Sequence, residues 1–166
     1  MKRLVVLAAA LALTGCGLSP MYAGGASGQV AQGLGAIEVP AIEGRAGWLV
    51  RNALTDRLGA AGSTTPRYRL DVRLDDRLEG LGLLSDDTIA RERRTLRARY
   101  QLVDLTNGTI VLDATAGSDA GIDVVGSEYA TIAAEQTALE NLAKVVADRI
   151  VTRIALQLRG EAPNGQ

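Results

Sequence analysis

Histidine is absent from this chain of 166 residues, as is phenylalanine, and there is one cysteine, Cys16, and one tryptophan, Trp48. Without histidine, both the usual general base near neutral pH and the commonest metal ligand are missing. One cysteine cannot form an internal disulfide. Without phenylalanine, the core has to be built from Leu, Val, Ile and Ala. An excess of one charge is also lacking: 18 Lys and Arg stand against 19 Asp and Glu, so no global positive field argues for nucleic acid. Long apolar runs are scarce too. Leu4–Leu13 covers ten residues, too short for a span that needs about 20. These absences predict no cofactor, no metal and no catalytic machinery, and they favour a protein that holds or scaffolds.

What is present begins at that short run. Lys2 and Arg3 precede it, and Leu13-Thr14-Gly15-Cys16 closes it. A basic start, an apolar run and small residues at a cleavage point make a secretory signal. A cysteine directly after two small residues is similar to a bacterial lipobox. By that resemblance, residues 1–15 are a signal peptide and Cys16 is the lipidated first residue of the mature chain. Acylation would also remove its thiol from nucleophilic chemistry. Each buried CH₂ contributes about 0.8 kcal/mol, so several acyl chains anchor almost permanently. The plainer alternative is an ordinary secretory signal with a chance cysteine. Removal of the signal leaves 151 residues with 16 basic against 19 acidic side chains, a net charge of −3. That length suffices for one domain with its own core.

Residues 16–35 read as the lipid anchor and a flexible tether rich in Gly, Ala, Ser and Gln, and 36–160 as a single α+β domain. Residues 161–166 read as a disordered tail. Gly17 stands where enteric lipoproteins carry an inner-membrane retention aspartate, which points to the outer membrane. Ala36–Val39 alternates and stops at Pro40, predicting a short strand. From Arg45 to Leu58 the period becomes helical, with Leu49, Val50, Ala53, Leu54 and Leu58 on one stripe and Gly59 and Gly62 behind it. Trp48 lies about 200° from Val50 at 100° per residue. It either packs over the helix entrance or stands exposed as an aromatic anchor for a partner.

Arg67 to Leu78 alternates strictly. Tyr68, Leu70, Val72 and Leu74 share one face, and Arg67, Arg69, Asp71, Arg73 and Asp75 share the other, which predicts a half-buried strand. Gly80-Leu81-Gly82 and Ser85-Asp86-Asp87 read as its end. A longer strand follows over Ile89 to Leu105, with Leu96, Ala98, Tyr100 and Leu102 inward and Arg91, Arg93, Arg97 and Arg99 outward. Thr106-Asn107-Gly108 turns the chain into a strand over Thr109 to Ala116. A two-residue loop there would set Leu102 against Asp113. A three-residue loop sets Leu105 against Thr109, Leu102 against Leu112 and Tyr100 against Ala114, and only this keeps the apolar faces together. The expectation is a type I turn followed by a bulge, with Gly108 left-handed.

The last element is a helix over Tyr129 to Leu158, with Ser127 at its N-cap and Gly160 and Pro163 ending it. Ile132, Leu139, Ala143, Val146, Ile150 and Ile154 form its buried stripe. The order βαβββα predicts an α+β fold with two helices on one face of a four-stranded mixed sheet, the first two strands being parallel if they neighbour each other.

Three short matches carry a family resemblance. Cys16-Gly17-Leu18-Ser19-Pro20-Met21-Tyr22-Ala23 resembles the opening of the lipopolysaccharide-assembly lipoprotein family, LptE, in its alphaproteobacterial form. It departs from that opening at Leu18-Ser19, where the family often has an aromatic and a basic residue, and at Met21, where it has leucine. Arg99-Tyr100-Gln101-Leu102-Val103-Asp104 with Gly108 is similar to the family's central hairpin, and Tyr129-Ala130-Thr131-Ile132-Ala133-Ala134-Glu135 to the opening of its last helix. The resemblance implies a non-enzymatic outer-membrane lipoprotein acting as plug and assembly partner of the large lipopolysaccharide-inserting β-barrel (LptD type), with lipopolysaccharide as a further ligand. An adaptor of another envelope complex and a lipid-anchored hydrolase are the alternatives.

Two sites follow from the residues. Arg67, Arg69, Arg73, Arg91, Arg93, Arg97 and Arg99 on one sheet face would grip lipopolysaccharide phosphates or a partner bidentately. The plainer alternative is a solvated face balanced by Asp71, Asp75 and Glu92. Asp71 and Asp75 do not make a glycosidase pair, since four residues of strand separate them by roughly 13 Å, beyond the window of about 5–9.5 Å.

Overall fold

The computed structural model describes residues 29–59, 65–83 and 89–161. The signal peptide, Cys16, the Leu18–Ala23 match, most of the tether, Gly62, the Ser85–Asp87 break and Pro163 lie outside the described residues. The elements in order are α1 (Gln29–Gly35), β1 (Ile37–Glu38), α2 (Gly44–Leu58), β2 (Tyr68–Leu83), β3 (Ile89–Asp104), β4 (Ile110–Asp123) and α3 (Glu128–Glu161). The strands form one mixed sheet in the order β1-β2-β3-β4, with β1 parallel to β2 and the remaining pairs antiparallel. This is the expected α+β architecture with one additional helix.

That helix corrects the tether. The composition of Gln29–Gly35 predicts part of a leash, yet the segment forms two turns. Seven residues are too few to hold a helix alone in water, so the support is tertiary. Leu34 is buried in the core, and Gly33 lies so close to Leu158 that an added Cβ would sit 3.1 Å from its Cδ1.

α3 lies over β3 and β4, and α2 packs chiefly on α3. Leu96, Ala98, Tyr100 and Leu102 of β3 are buried, as are Leu70 and Leu112 beside them and Leu139, Ala143, Val146, Ile150 and Ile154 of α3. Ile132 does not join its stripe. It is 42% exposed, while Thr131 beside it is buried and bonded through its hydroxyl to the Ser127 carbonyl at 3.3 Å. The first turn of α3 overhangs the sheet, so its buried side is chosen by the cap rather than by the stripe. Gly160 does not end the helix, which continues to Glu161.

β2 passes through Gly80 and Gly82 to Leu83, and β4 runs seven residues past the expected Ala116 to Asp123. Gly117-Ser118-Asp119-Ala120-Gly121 has little strand propensity of its own. It is held in extended form by pairing with Arg97 through Arg93 of β3.

The hairpin keeps the expected inward register, Leu102↔Leu112 and Tyr100↔Ala114, by a different route. The loop is four residues long, closed by Asp104 N–H to the Thr109 carbonyl at 2.9 Å and Gly108 N–H to the Asp104 carbonyl at 2.8 Å. The bulge sits a step further on, where Leu102 pairs with Leu112 and Val103 with Ile110, leaving Val111 extra. One more loop residue and one bulged residue cancel, and the apolar faces stay together. Gly108 is left-handed as expected, at φ 74°.

Gly108→Val is expected to cost about 1–2 kcal/mol, the penalty for a left-handed residue with a branched Cβ. Nothing lies within 4 Å of the position a Cβ would take, so the cost is backbone strain alone. Gly108→Asn, which tolerates this region, should lose much less. Equal melting midpoints for the two variants would refute the assignment.

Candidate functional site

The outward face of the sheet is built by alternation. With Leu70, Leu102 and Leu112 aligned on the buried side, the other side carries successive cross-strand rows. These are Asp71–Gln101–Asp113, Arg73–Arg99–Thr115, Asp75–Arg97–Gly117, Arg77–Thr95–Asp119, Glu79–Arg93–Gly121 and Leu81–Arg91–Asp123. No helix covers this side among the described residues.

The seven predicted arginines are not equivalent. Four have carboxylate partners. Arg69 meets Asp71 at 3.0 Å, Arg91 meets Asp123 at 3.0 Å and Arg99 meets Asp113 at 3.1 Å. Arg67 leaves the face altogether: it lies 5.0 Å over the Tyr68 ring and reaches Asp104 at 3.5 Å, at the hairpin end of the sheet. Arg73, Arg93 and Arg97 are exposed and have no ion pair among the described residues. Arg73 stands directly opposite Arg99. Arg97 stands opposite Asp75, but that carboxylate is taken by Arg77 at 3.0 Å. On the other flank Arg97 and Arg93 face Gly117 and Gly121 directly, and Asp119, which lies between those glycines opposite Thr95, makes no ion pair with either arginine. A Cβ on Gly117 would lie 3.1 Å from Arg97 Cγ, so the glycine also makes room for the arginine stem.

Arg73, Arg97 and Arg99 therefore form a compact cationic group, with Arg93 roughly 13 Å further along the strand from Arg97. Beside the group a cleft of about 550 Å³ opens between the Pro40–Ile42 segment and Asp71, Arg73, Arg99 and Gln101. Surface ion pairs like those of Arg69 and Arg91 contribute little each, about 0–1 kcal/mol. The unpaired guanidinium groups are the ones free to bind a ligand anion.

Glu92 corrects the expected balance of this face. It pairs with Gly80 and Ile122 on the inward side, and its Oε2 is buried without a hydrogen-bond partner among the described residues. Two further arginines were missed. Arg77 belongs to the outward face. Arg94 points inward, holds Asp76 with two hydrogen bonds of 2.9 and 2.7 Å, and donates to the Glu135 carbonyl of α3 at 3.2 Å. The same alternation that set Leu96 inward also set Arg94 inward, and an inward arginine needs an inward acid. Asp71 and Asp75 each serve a neighbouring arginine. Among the described residues no group of three or more acidic, His or Cys side chains comes together in a geometry that could hold a metal ion.

Trp48 is 61% exposed, at the rim of a groove between α2 and α3 lined also by Asn52, Asp56, Glu140 and Lys144. It is not packed over the helix entrance. The entrance is closed instead by Gly47, where a Cβ would run into the Ile42 backbone.

The fold and this face define a class: a small α+β domain that buries one side of its sheet and presents a charged surface on the other. The family model for lipopolysaccharide-assembly, LptE, matches residues 34–154, and the chain belongs to that family, which is non-enzymatic. Among solved structures it is similar to a candidate lipoprotein of Caulobacter crescentus at 30% identity, covering 82% of this chain and 99% of that one with a TM-score of 0.70. It also shares its fold with a minor lipoprotein of Acinetobacter baumannii, at 19% identity over 72% and 90% of the two chains with a TM-score of 0.54. The rare lipoprotein B of Shewanella oneidensis shares it at 14% identity over 76% and 97%, again with a TM-score of 0.54. No curated protein matches the chain by sequence. Its family places its role in lipopolysaccharide assembly.

Three carboxyl groups lie below the usual carboxylate range: Asp104 through the Thr106 backbone and hydroxyl and then Arg67, Asp113 through Arg99 and Gln101, and Asp148 through Arg57. A carboxyl lowered on folding stabilises the fold above its unfolded value, and the contribution is lost as pH falls through the folded value. No histidine titrates in between. The melting midpoint is expected to be flat from about pH 5.5 to 8 and to fall below roughly pH 4. A step between pH 6 and 7 would contradict this.

Proposed function

We propose that this chain is an outer-membrane lipoprotein, anchored through Cys16, that plugs and helps assemble the β-barrel lipopolysaccharide translocon. Membership of the lipopolysaccharide-assembly family carries the reading. No helix among the described residues is long and apolar enough to cross a membrane. The sheet face offers Arg73, Arg97 and Arg93 without carboxylate partners. Lipopolysaccharide presents clustered phosphates, and guanidinium groups bind phosphate oxygens in pairs where ammonium groups act as point charges. Trp48 supplies an exposed aromatic anchor on the opposite, helical side, suited to the barrel wall. The two surfaces divide the work, the sheet taking the glycolipid and the helices taking the protein. No step of this role breaks a covalent bond, and the chain is not an enzyme.

A tagged chain, extracted from envelopes in detergent, is expected to bring down a large outer-membrane β-barrel protein. Trp48→Ala should reduce that yield several-fold without lowering the melting midpoint. Cys16→Ala should abolish palmitate labelling and remove the protein from outer-membrane fractions. If the parent chain brings down no barrel, or the Cys16→Ala variant keeps its label, the reading fails.

A further inference from the structure

The long edge of β2 carries a feature that neither the core nor the arginine face uses. β2 runs from Tyr68 to Leu83, yet β1 pairs only with Tyr68 and Arg69. Pro40–Ile42 then passes beside Leu70 to Arg73 across an open cleft, and Pro40 has no N–H to give. From Val72 to Gly80 no strand among the described residues pairs with this edge. An unpaired edge of this length is a template for another strand, and chains normally blunt it with charge.

Here the charges do not simply blunt it. The outward residues of the free stretch, Arg73, Asp75, Arg77 and Glu79, alternate in sign. We propose that a second copy of this chain pairs with this edge, antiparallel and centred on Asp76, joining two sheets into one. In that register Arg73 faces Glu79 of the second copy, and Asp75 faces its Arg77. On the inward side Leu74 faces Leu78 of the second copy. Leu78 is 43% exposed in the single chain, large for an inward position, and the pairing covers it. Arg73 and Glu79 have no ion pair within one chain among the described residues, and here each gains one. The two Asp76 carboxylates meet at the two-fold axis, each already held by two hydrogen bonds from its own Arg94. They approach as neutral pairs rather than as bare charges.

Charge selects the register. Sliding the second copy by two residues sets Arg73 against Arg77 and Asp75 against Asp75, and like charges directly opposite are destabilising. Sliding by four restores complementarity but extends the pairing to Leu70 and Asp71, beside which Pro40–Ile42 already runs. Sliding by four the other way centres the pairing on Leu78 and keeps only Arg77 against Glu79, so the register centred on Asp76 is the one that makes both opposite-charge pairs and stays clear of Leu70 and Asp71. Because inward residues pair with inward residues, the helices of both copies stay on one side and both arginine faces on the other.

The test is a disulfide in the full chain, in its own membrane. Directly opposed residues in antiparallel strands have Cα atoms about 4.5–5.5 Å apart, within the disulfide range. Leu74 and Leu78 of one chain are roughly 13 Å apart, so a Leu74→Cys/Leu78→Cys variant can close only between copies. Mild oxidation is expected to give a disulfide dimer several-fold above that of the parent, which retains only Cys16, and above a Thr115→Cys control on β4. In a parallel measurement without new cysteines, two differently tagged parent chains should co-isolate. Arg73→Glu should cut that several-fold, and adding Glu79→Arg should restore it. No excess disulfide, or co-isolation indifferent to Arg73→Glu, overturns the proposal. Neither outcome bears on whether the chain binds a barrel, so the two readings fail separately.

Discussion

The buried side of the sheet admits only one arrangement of strands. Leu70, Leu102 and Leu112 lie in one cross-strand row, Val72, Tyr100 and Ala114 in the next, and Leu74, Ala98 and Ala116 in the third. α3 lies over β3 and β4, with Val146, Ile150 and Ile154 buried in the same core. A slip of one residue in any strand would turn a row of leucines to water and a row of arginines into the core. Truncating Leu70 or Leu102, both fully buried, to alanine falls in the range of about 2–5 kcal/mol. That is a large share of what a domain of this size has in total. Arg94 closes the far end of the same contact, binding Asp76 on the sheet and the Glu135 carbonyl on the helix.

A sheet buried so strictly on one side must leave the other side to solvent or to a partner. The outward face solves most of its electrostatics locally, by pairing Arg69, Arg77, Arg91 and Arg99 with aspartates on the same or adjacent strands. Where β4 offers glycine instead of an acid, Arg93 and Arg97 are left over, and Arg73 is left over because its cross-strand neighbour is Arg99. The proposal that this face binds lipopolysaccharide rests on this remainder and not on the total number of arginines. The free edge of β2 and the exposed Leu78 come from the same geometry, because the helix layer is centred over β3 and β4 and stops short of the far half of β2.

Much of this was legible in the sequence. Alternation located the three long strands and assigned their faces, and the need to keep apolar faces together was enough to set the inward pairs of the hairpin. The loop itself was not legible, because a three-residue loop and a four-residue loop with a bulge at Val111 give the same inward pairs. The far half of β4 was hidden by Gly and Ser, whose extended form comes from β3. α1 was hidden by its composition, although Val30 and Leu34 stand four residues apart, the one available sign of a helix against α3. Which arginines were free was beyond reach, since diagonal pairs such as Arg99 with Asp113 depend on register and rotamer together. Arg94 was within reach: it broke the apolar side of the alternation, and Asp76 broke it on the neighbouring strand.

The central claim is that the unpaired arginines, rather than the paired ones, bind the phosphates of lipopolysaccharide. Titrating labelled lipopolysaccharide against the full chain in detergent, with the Arg73→Gln/Arg97→Gln variant beside the parent, tests it most directly. The account predicts salt-sensitive binding by the parent and a loss of roughly tenfold or more in the variant, since each charge-assisted hydrogen bond contributes about 1.5–3 kcal/mol. Lysine at the same two positions should recover part of the affinity, and Arg91→Gln, which removes an arginine already held by Asp123, should change little. Equal affinity for the parent and the Arg73→Gln/Arg97→Gln variant, or an equal loss from Arg91→Gln, would contradict it.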